Sequence, residues 1–361
     1  MPLNILQMIS KNDRYGAQRI FLDQVSVLHS LGNRVTVICR GSSGYVNDSV
    51  QAMGVPCHGI PMKGIRDILF LRQLVKKNKI DVIHTTLDRA DHIGVLLSKI
   101  SGCPVVSTMM VPRYHIGFKF ADRVIVLSNM QQELLKKKGV KAGKITVIRP
   151  GIDVERFSHA DRDKREAWKR KLKADSRSVV MCHISSLIPR KAHEISLEII
   201  AACKRQGENP LLVVIGDPLS GSYYDSLLAK ISELGLQENV HFTGWTSEIA
   251  EILSLSHFTV LPSENEALGI VLMEGMAAGT PIIARESEGG AELIDEYGTG
   301  LLYRPESGVP ALADALVKLR RDPVRFAALA QQCRQIAVEQ FSMQRFGERL
   351  MGVYAAVCSA P

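Results

Sequence analysis

A chain of 361 residues exceeds one ordinary compact domain, so length alone points to two. With 46% hydrophobic and 23% charged residues the composition is that of a globular enzyme, and no apolar run approaches the roughly 20 residues that span a bilayer. The net charge of +8 is uneven: residues 1–155 carry +11, residues 156–175 carry +4 and residues 176–361 carry −7. A basic first half suits an anionic membrane surface, a phosphorylated acceptor or nucleic acid, unless it is simply a solvated surface with no single patch.

The run from Pro2 to Ile9 lacks a basic lead and a cleavage site, and reads as a first strand, at 4–9, rather than a signal peptide. Strand-like runs follow at 34–39, 82–84, 105–108, 124–127 and 146–148, alternating with helical patterns at 19–31, 65–77, 92–100 and 129–138. A seam comes next, from the turn Pro150-Gly151-Ile152-Asp153 through a highly charged stretch ending near Asp175. Within it Asp161 and Asp163 have the spacing of a metal-binding pair but the setting of a charged helix or linker. The pattern then restarts, with strands at 179–184, 211–215, 241–242, 258–261 and 281–284 and helices at 193–205, 224–234, 248–255 and 309–320. Residues 323–357 read as two helices broken near Phe341-Ser342. Repeated strand–helix units predict an α/β protein with parallel sheets covered on both faces. The seven cysteines have no metal-ligand spacing and read as reduced thiols of a cytoplasmic protein.

The chain has no GxGxxG, GxxxxGK[ST], HExxH or GxSxG signature. Its informative stretch runs from Leu261-Pro262-Ser263 through Glu266-Ala267-Leu268-Gly269-Ile270 and Glu274 to Gly279-Thr280-Pro281. A buried strand ends at Pro262-Ser263, a polar loop follows, and Gly269 opens an apolar helix. In an open α/β sheet the loop after a strand's carboxyl end is where ligands sit, and a helix N-terminus attracts anions. Glu266 and Glu274 stand eight apart, about two helical turns, so both can face one cleft and accept hydrogen bonds from vicinal hydroxyls. By spacing alone the pair is more often an N-cap acid and a surface glutamate on a helix.

With Pro262-Ser263 before it and Ala277-Ala278-Gly279-Thr280-Pro281 after it, this Glu266-x7-Glu274 stretch resembles the signature of the retaining GT-B glycosyltransferases of family 4. The segments 121–125, 144–153, 213–217, 240–244, 292–294 and 300–302 extend the resemblance over nearly the whole chain. It implies two Rossmann-like domains with parallel sheets facing across a cleft: residues 1–160 for the acceptor, 161–340 for a nucleotide-sugar donor, and 341–361 as a helix returning to the first domain. It implies that Glu274 holds the ribose, that Glu266 contacts the donor sugar, and that the main chain of Ala267, Leu268, Gly269 and Ile270 approaches sugar and phosphates. Lys191 matches the diphosphate-binding lysine, and Gly16 the glycine loop after the first strand. Where the family has an arginine this chain has Ser186, with Arg190 a candidate replacement. Where it places a histidine this chain has Met110, with His115 five residues on; His84 is either a cleft residue or a structural one.

The function implied is retaining transfer of a sugar from a UDP- or GDP-sugar to a glycan or lipid-linked acceptor, as in bacterial surface polysaccharide or lipopolysaccharide synthesis. It implies no cofactor, no required metal and no nucleic acid, with the basic first domain in peripheral contact with the anionic inner face of the membrane. A nucleotide-sugar epimerase or hydrolase on the same scaffold, and a non-catalytic binding protein, are the alternatives.

Overall fold

Strands buried on both faces of a parallel sheet need no polar alternation, which is why the apolar runs above are continuous. In the computed structural model, which describes residues 2–359, they form two all-parallel sheets. The first contains β1 (Asn4–Ile9), β2 (Arg34–Arg40), β3 (Cys57–Ile60), β4 (Val82–Thr86), β5 (Val105–Met109), β6 (Arg123–Val126) and β7 (Ile145–Val147), in the order β3-β2-β1-β4-β5-β6-β7. The second contains β8 (Ser178–Ile184), β9 (Asn209–Ile215), β10 (Val240–Gly244), β11 (Phe258–Leu261), β12 (Ile282–Arg285) and β13 (Gly300–Tyr303), in the order β10-β9-β8-β11-β12-β13. Each order reverses once, between β1 and β4 and between β8 and β11, so each sheet is a Rossmann-like doubly wound layer with one switch point.

One compact unit holds the residues up to Gly151 and those from Ser342 on; the other is Ile152–Phe341. The division falls earlier than the expected boundary at 160. The short helix Val154–Ser158 packs on helices Ile249–Leu255 and Ile270–Ala277, which binds it to the second unit. Asp161 accepts hydrogen bonds from the main-chain N–H groups of Asp163 and Lys164, so it caps the helix Arg162–Lys171. All seven cysteines are free thiols, and no helix among the described residues is long and apolar enough to cross a membrane.

Inside the first unit the helix Met343–Cys358 packs on the helix Gly16–Ser30 and on β4. Ser342 caps it, which is why the C-terminal pattern breaks there. Its Tyr354 reaches His84, which is fully buried and structural. Gln24 Nε2 lies 2.9 Å and the Tyr354 hydroxyl 2.5 Å from His84 Nδ1, so Nδ1 accepts and Nε2 donates to Thr108 Oγ1 at 2.6 Å. Gln7 Nε2 donates to the Tyr354 hydroxyl at 3.1 Å. Burial holds the imidazole neutral, lowering it to about 3. Tyr354→Phe leaves these buried partners short of a hydrogen bond and is expected to cost about 1–3 kcal/mol in urea denaturation. A loss below a few tenths would show that the network carries no stability.

Candidate functional site

The switch point of the second sheet brings together the loops that leave β8 and β11. The β8 loop carries Ser186 and a 3-10 turn, Pro189–Lys191, and the β11 loop runs from Pro262 to Gly269. Their main chains are joined where Glu264 N donates to Arg190 O at 2.8 Å. Lys191 Nζ lies 2.5 Å from Glu266 Oε2, with the two side chains only 13% and 18% exposed. Arg190 turns its guanidinium toward the same oxygen at 3.8 Å while staying half exposed. The chain therefore brings two cations and one carboxylate to the carboxyl ends of its two central strands, where an α/β sheet takes ligands. Ser186 is half-buried beside them and carries no charge.

Beyond Glu266, Ala267 and Leu268 are buried, and Gly269 turns the chain at φ +81° into the helix Ile270–Ala277. A side chain at Gly269 meets Leu261 Cδ2 at 2.7 Å. Ile270 is half-buried at the first turn. The helix is apolar nearly all round because it lies under the helix Pro323–Phe341, and Glu274 on it is fully buried. Helical spacing does not relate the two acids. Glu266 precedes the first helical residue by four positions, so the eight-residue interval spans a loop and about one turn of helix, not two turns of one face.

What shapes the loop is remote in sequence. The Glu288 carboxylate accepts from Asn265 N at 2.9 Å and Glu266 N at 2.7 Å, and Gly289 N donates to Glu266 O at 3.0 Å. The Glu288-Gly289-Gly290 turn after β12 is the signal that marks it. A second missed feature lies behind Lys191. The rings of His183 and His193 stack with centroids 4.1 Å apart, and the Ser185 hydroxyl lies 3.0 Å from His183 Nε2 and 3.1 Å from His193 Nε2. Tyr223 links His193 N to the Glu194 carboxylate, which accepts from its hydroxyl at 2.6 Å.

Burial, with the Lys191 charge adding, lowers the His193 imidazole from 6.5 to about 4, and burial pushes His183 down as well. Below pH 6.5 the unfolded chain takes up a proton that the folded protein refuses. Stability is therefore full above 6.5 and falls as pH drops toward 4. His193 alone accounts for about 3 kcal/mol of that fall, which His193→Gln should remove from the difference in unfolding free energy between pH 7 and pH 4. An unchanged pH slope in His193→Gln would refute this.

The remaining expected site residues lie in the first unit. Gly16 is exposed at the start of its helix; a Cβ there meets nothing within 4 Å, so no internal contact calls for glycine. Tyr15 before it is exposed, and Met110 is buried. His115 Nε2 lies 3.0 Å from Asp91 Oδ2, and its ring stacks on Phe118 at 3.8 Å. Its Nδ1 is buried without a hydrogen-bond partner among the described residues. Asp91 is fully buried, also accepts from Thr85 Oγ1 at 2.5 Å, and is raised by burial. With both ring nitrogens withdrawn from solvent, His115 ties the 110–118 loop to the helix Asp88–Ser101. Among the described residues no group of three His, Cys, Asp or Glu is placed to hold a metal ion.

Two family models match the chain, one for each half: "Glycosyltransferase Family 4" over residues 15–156 and "Glycosyl transferases group 1" over residues 164–340. The chain is 27% identical to the UDP-Gal:alpha-D-GlcNAc-diphosphoundecaprenol alpha-1,3-galactosyltransferase of Escherichia coli, over 94% of this chain and 93% of that one. It is 26% identical to the alpha-D-kanosaminyltransferase of Streptomyces kanamyceticus, over 73% of each. Among solved structures, HepE of Anabaena in complex with UDP superposes with a TM-score of 0.86 at 20% identity, over 98% of this chain and all of that one.

Proposed function

The chain belongs to the GT-B glycosyltransferases of family 4, and from that membership we propose that it moves a sugar from a UDP- or GDP-sugar to a glycan or lipid-linked acceptor with retention of configuration. The observation that carries this reading is the Lys191–Glu266 pair at the β8/β11 switch point. The carboxylate holds the ammonium in place before the donor arrives. When the diphosphate enters, Lys191 exchanges this partner for phosphate oxygens, and Arg190 stands beside it as a second cation. A fixed ammonium near the leaving diphosphate neutralises the charge that develops as the glycosidic bond breaks.

Glu266, released from the lysine, accepts hydrogen bonds from hydroxyls of the donor sugar, and the main chain of residues 267–270 lines sugar and phosphates. Glu274, acceptor-only when ionised, is assigned the ribose hydroxyls. Gly16 is assigned to the glycine loop of the first unit, and Ser186 to the donor pocket without a charge of its own. We assign no proton transfer to His115, whose Asp91 contact fits a positioning role for its loop. The acceptor hydroxyl attacks the anomeric carbon from the face the nucleotide leaves, as the bond to the diphosphate oxygen breaks and the hydroxyl proton passes to that departing oxygen, without a covalent protein intermediate. The Escherichia coli relative, named for a UDP-Gal donor and a diphosphoundecaprenol acceptor, supports a lipid-linked acceptor.

The test is a transfer assay with UDP- and GDP-sugars, the anomeric coupling of the product being read by NMR. The expected product keeps the donor's anomeric configuration, and turnover survives EDTA. An inverted product would overturn the retaining mechanism. Epimer or free sugar formed from donor alone, with no acceptor product, would replace transfer by epimerisation or hydrolysis.

A further inference from the structure

Two of the seven free thiols meet in the first unit. Cys39 on β2 and Cys57 at the start of β3 face each other with their Sγ atoms 3.6 Å apart. In the register of the two strands Cys57 stands opposite Val37, two residues before Cys39, so both side chains leave the same face of the sheet. Cys39 is fully buried, Cys57 is half-buried, and β3 is an edge strand paired with β2 alone. One thiol is within reach of solvent and the other is held behind it. An edge strand has room to shift, which can bring the sulfurs to the roughly 2.05 Å of a disulfide.

Asn47, on the helix Tyr45–Ala52, holds the pair from one side. Its Oδ1 lies 3.0 Å from Cys39 Sγ and its Nδ2 lies 3.7 Å from Cys57 Sγ. The single Cys39 proton faces both that oxygen and the second sulfur, so Cys39 keeps its proton and Cys57 yields one more readily. The Cys39 thiol beside it draws Cys57 below its ordinary range against the effect of burial, and the same contact, with burial, pushes Cys39 up. Asn47 Oδ1 also accepts from Asn12 Nδ2, and Asn12 Oδ1 accepts from Val46 N at 2.8 Å and Asn47 N at 3.2 Å. Asn12 lies in the loop between β1 and the helix Gly16–Ser30, so thiol pair, helix and loop share one chain of hydrogen bonds.

We propose that Cys57 and Cys39 form a peroxide-responsive dithiol whose oxidation to a disulfide frees Asn47, loosens the loop before Gly16 and so restrains transfer. The Cys57 thiolate takes one oxygen from a hydroperoxide and becomes a sulfenic acid, the other oxygen leaving as hydroxide or alkoxide. The Cys39 sulfur then attacks Cys57 Sγ, and the hydroxyl leaves with the Cys39 proton as water. Cys39 no longer has a proton to donate and Cys57 no longer carries a charge, so of these partners Asn47 keeps only Asn12. The restraint on transfer rests on the glycosyl-transfer reading; the thiol chemistry does not.

Peroxide treatment of the full chain, followed by alkylation, digestion and mass spectrometry, tests it. The expected product is a Cys39–Cys57 cross-linked peptide, reversed by dithiothreitol. It should form about tenfold or more faster than the exposed Cys358 thiol, which burial and Asp81 push up, is oxidised. In Cys39→Ser the sulfenic acid at Cys57 should persist and be captured by dimedone, and Cys57→Ser should form no cross-link. Hydrogen exchange at Val46 and Asn47, whose amides Asn12 holds, should rise about tenfold in the oxidised wild type and stay unchanged in peroxide-treated Cys57→Ser. Turnover should fall several-fold over the same course and return with dithiothreitol. Cys39 and Cys57 both still alkylated after Cys358 has been oxidised, or a cross-link to another cysteine, would overturn the site. A Cys39–Cys57 disulfide with unchanged exchange would overturn the link to the loop, and one with unchanged turnover the restraint on transfer. Turnover absent from the reduced chain, with the disulfide and exchange results intact, would overturn the transfer reading instead.

Discussion

Lys191→Ala is expected to lower transfer about a hundred- to a thousandfold, the range seen when one preorganised charge-stabilising donor is removed from an active site. The effect should fall on kcat as well as on donor affinity, because the ammonium does most when the diphosphate is leaving. Its position makes the loss hard to compensate. Arg190 is 3.8 Å from Glu266 Oε2 where Lys191 is 2.5 Å, and it is half exposed where Lys191 is nearly covered. Without Lys191, Glu266 keeps only this looser partner, so the donor-sugar contacts proposed for it are expected to loosen too. Lys191→Arg should recover part of the affinity and little of the rate, since a planar fork does not replace a point charge on a short turn. Steady-state kinetics beside a circular dichroism spectrum checks this; wild-type kcat in a folded Lys191→Ala protein would remove the residue from the mechanism.

Gly289→Ala is expected to be the most damaging single-methyl change near the site. Its Cβ falls well inside van der Waals contact of the Ala267 carbonyl and 3.0 Å from Glu266 O, and these are main-chain atoms that no rotamer can move aside. The two loops must separate, which breaks the Gly289 N to Glu266 O hydrogen bond and strains the Glu288 contacts to Asn265 N and Glu266 N. Overpacking of this kind costs about 3 kcal/mol, and a displacement of Glu266 by the order of 1 Å costs about a hundredfold in rate. The control is Ile231→Ala, a core position of the second unit outside these loops, which should lose similar stability and keep its turnover. Equal loss of turnover in both variants would mean that Gly289 acts only through stability.

The parts of the fold that could be read from sequence are those where one physical signal dominates. β1, β8 and β11 are mainly apolar runs, with Gln7, His183 and Thr259 buried among them, because both of their faces are covered, and their limits lie within a residue of the expected ones. β3 went unread because Cys57-His58-Gly59-Ile60 is an edge strand, half exposed and interrupted by glycine. The helix Tyr45–Ala52 was missed too, since Gly44 and its polar first turn look like a continued loop. At the site, Lys191 and Glu266 came from a family resemblance, and their contact came from chain topology: 75 positions apart, they meet because β8 and β11 are neighbours. The eight-residue spacing of Glu266 and Glu274 misled, because no local signal says where a loop stops and a helix starts within it. The stacked His183 and His193 carry no such local signal either, since each takes its meaning from a partner on another element, and of the Glu288 contacts only the Glu288-Gly289-Gly290 turn is written in the sequence.

The most direct test of the proposed donor site is thermal denaturation with UDP and GDP, on the wild-type chain and on Lys191→Ala. A ligand at a hundred times its dissociation constant adds about 2.7 kcal/mol to the state that binds it, which for a unit of this size raises melting by roughly 5–10 °C. The site described here predicts such a rise for at least one of the two nucleotides in the wild type and its near-complete loss in Lys191→Ala. No rise with either nucleotide, or an equal rise in both proteins, would contradict it.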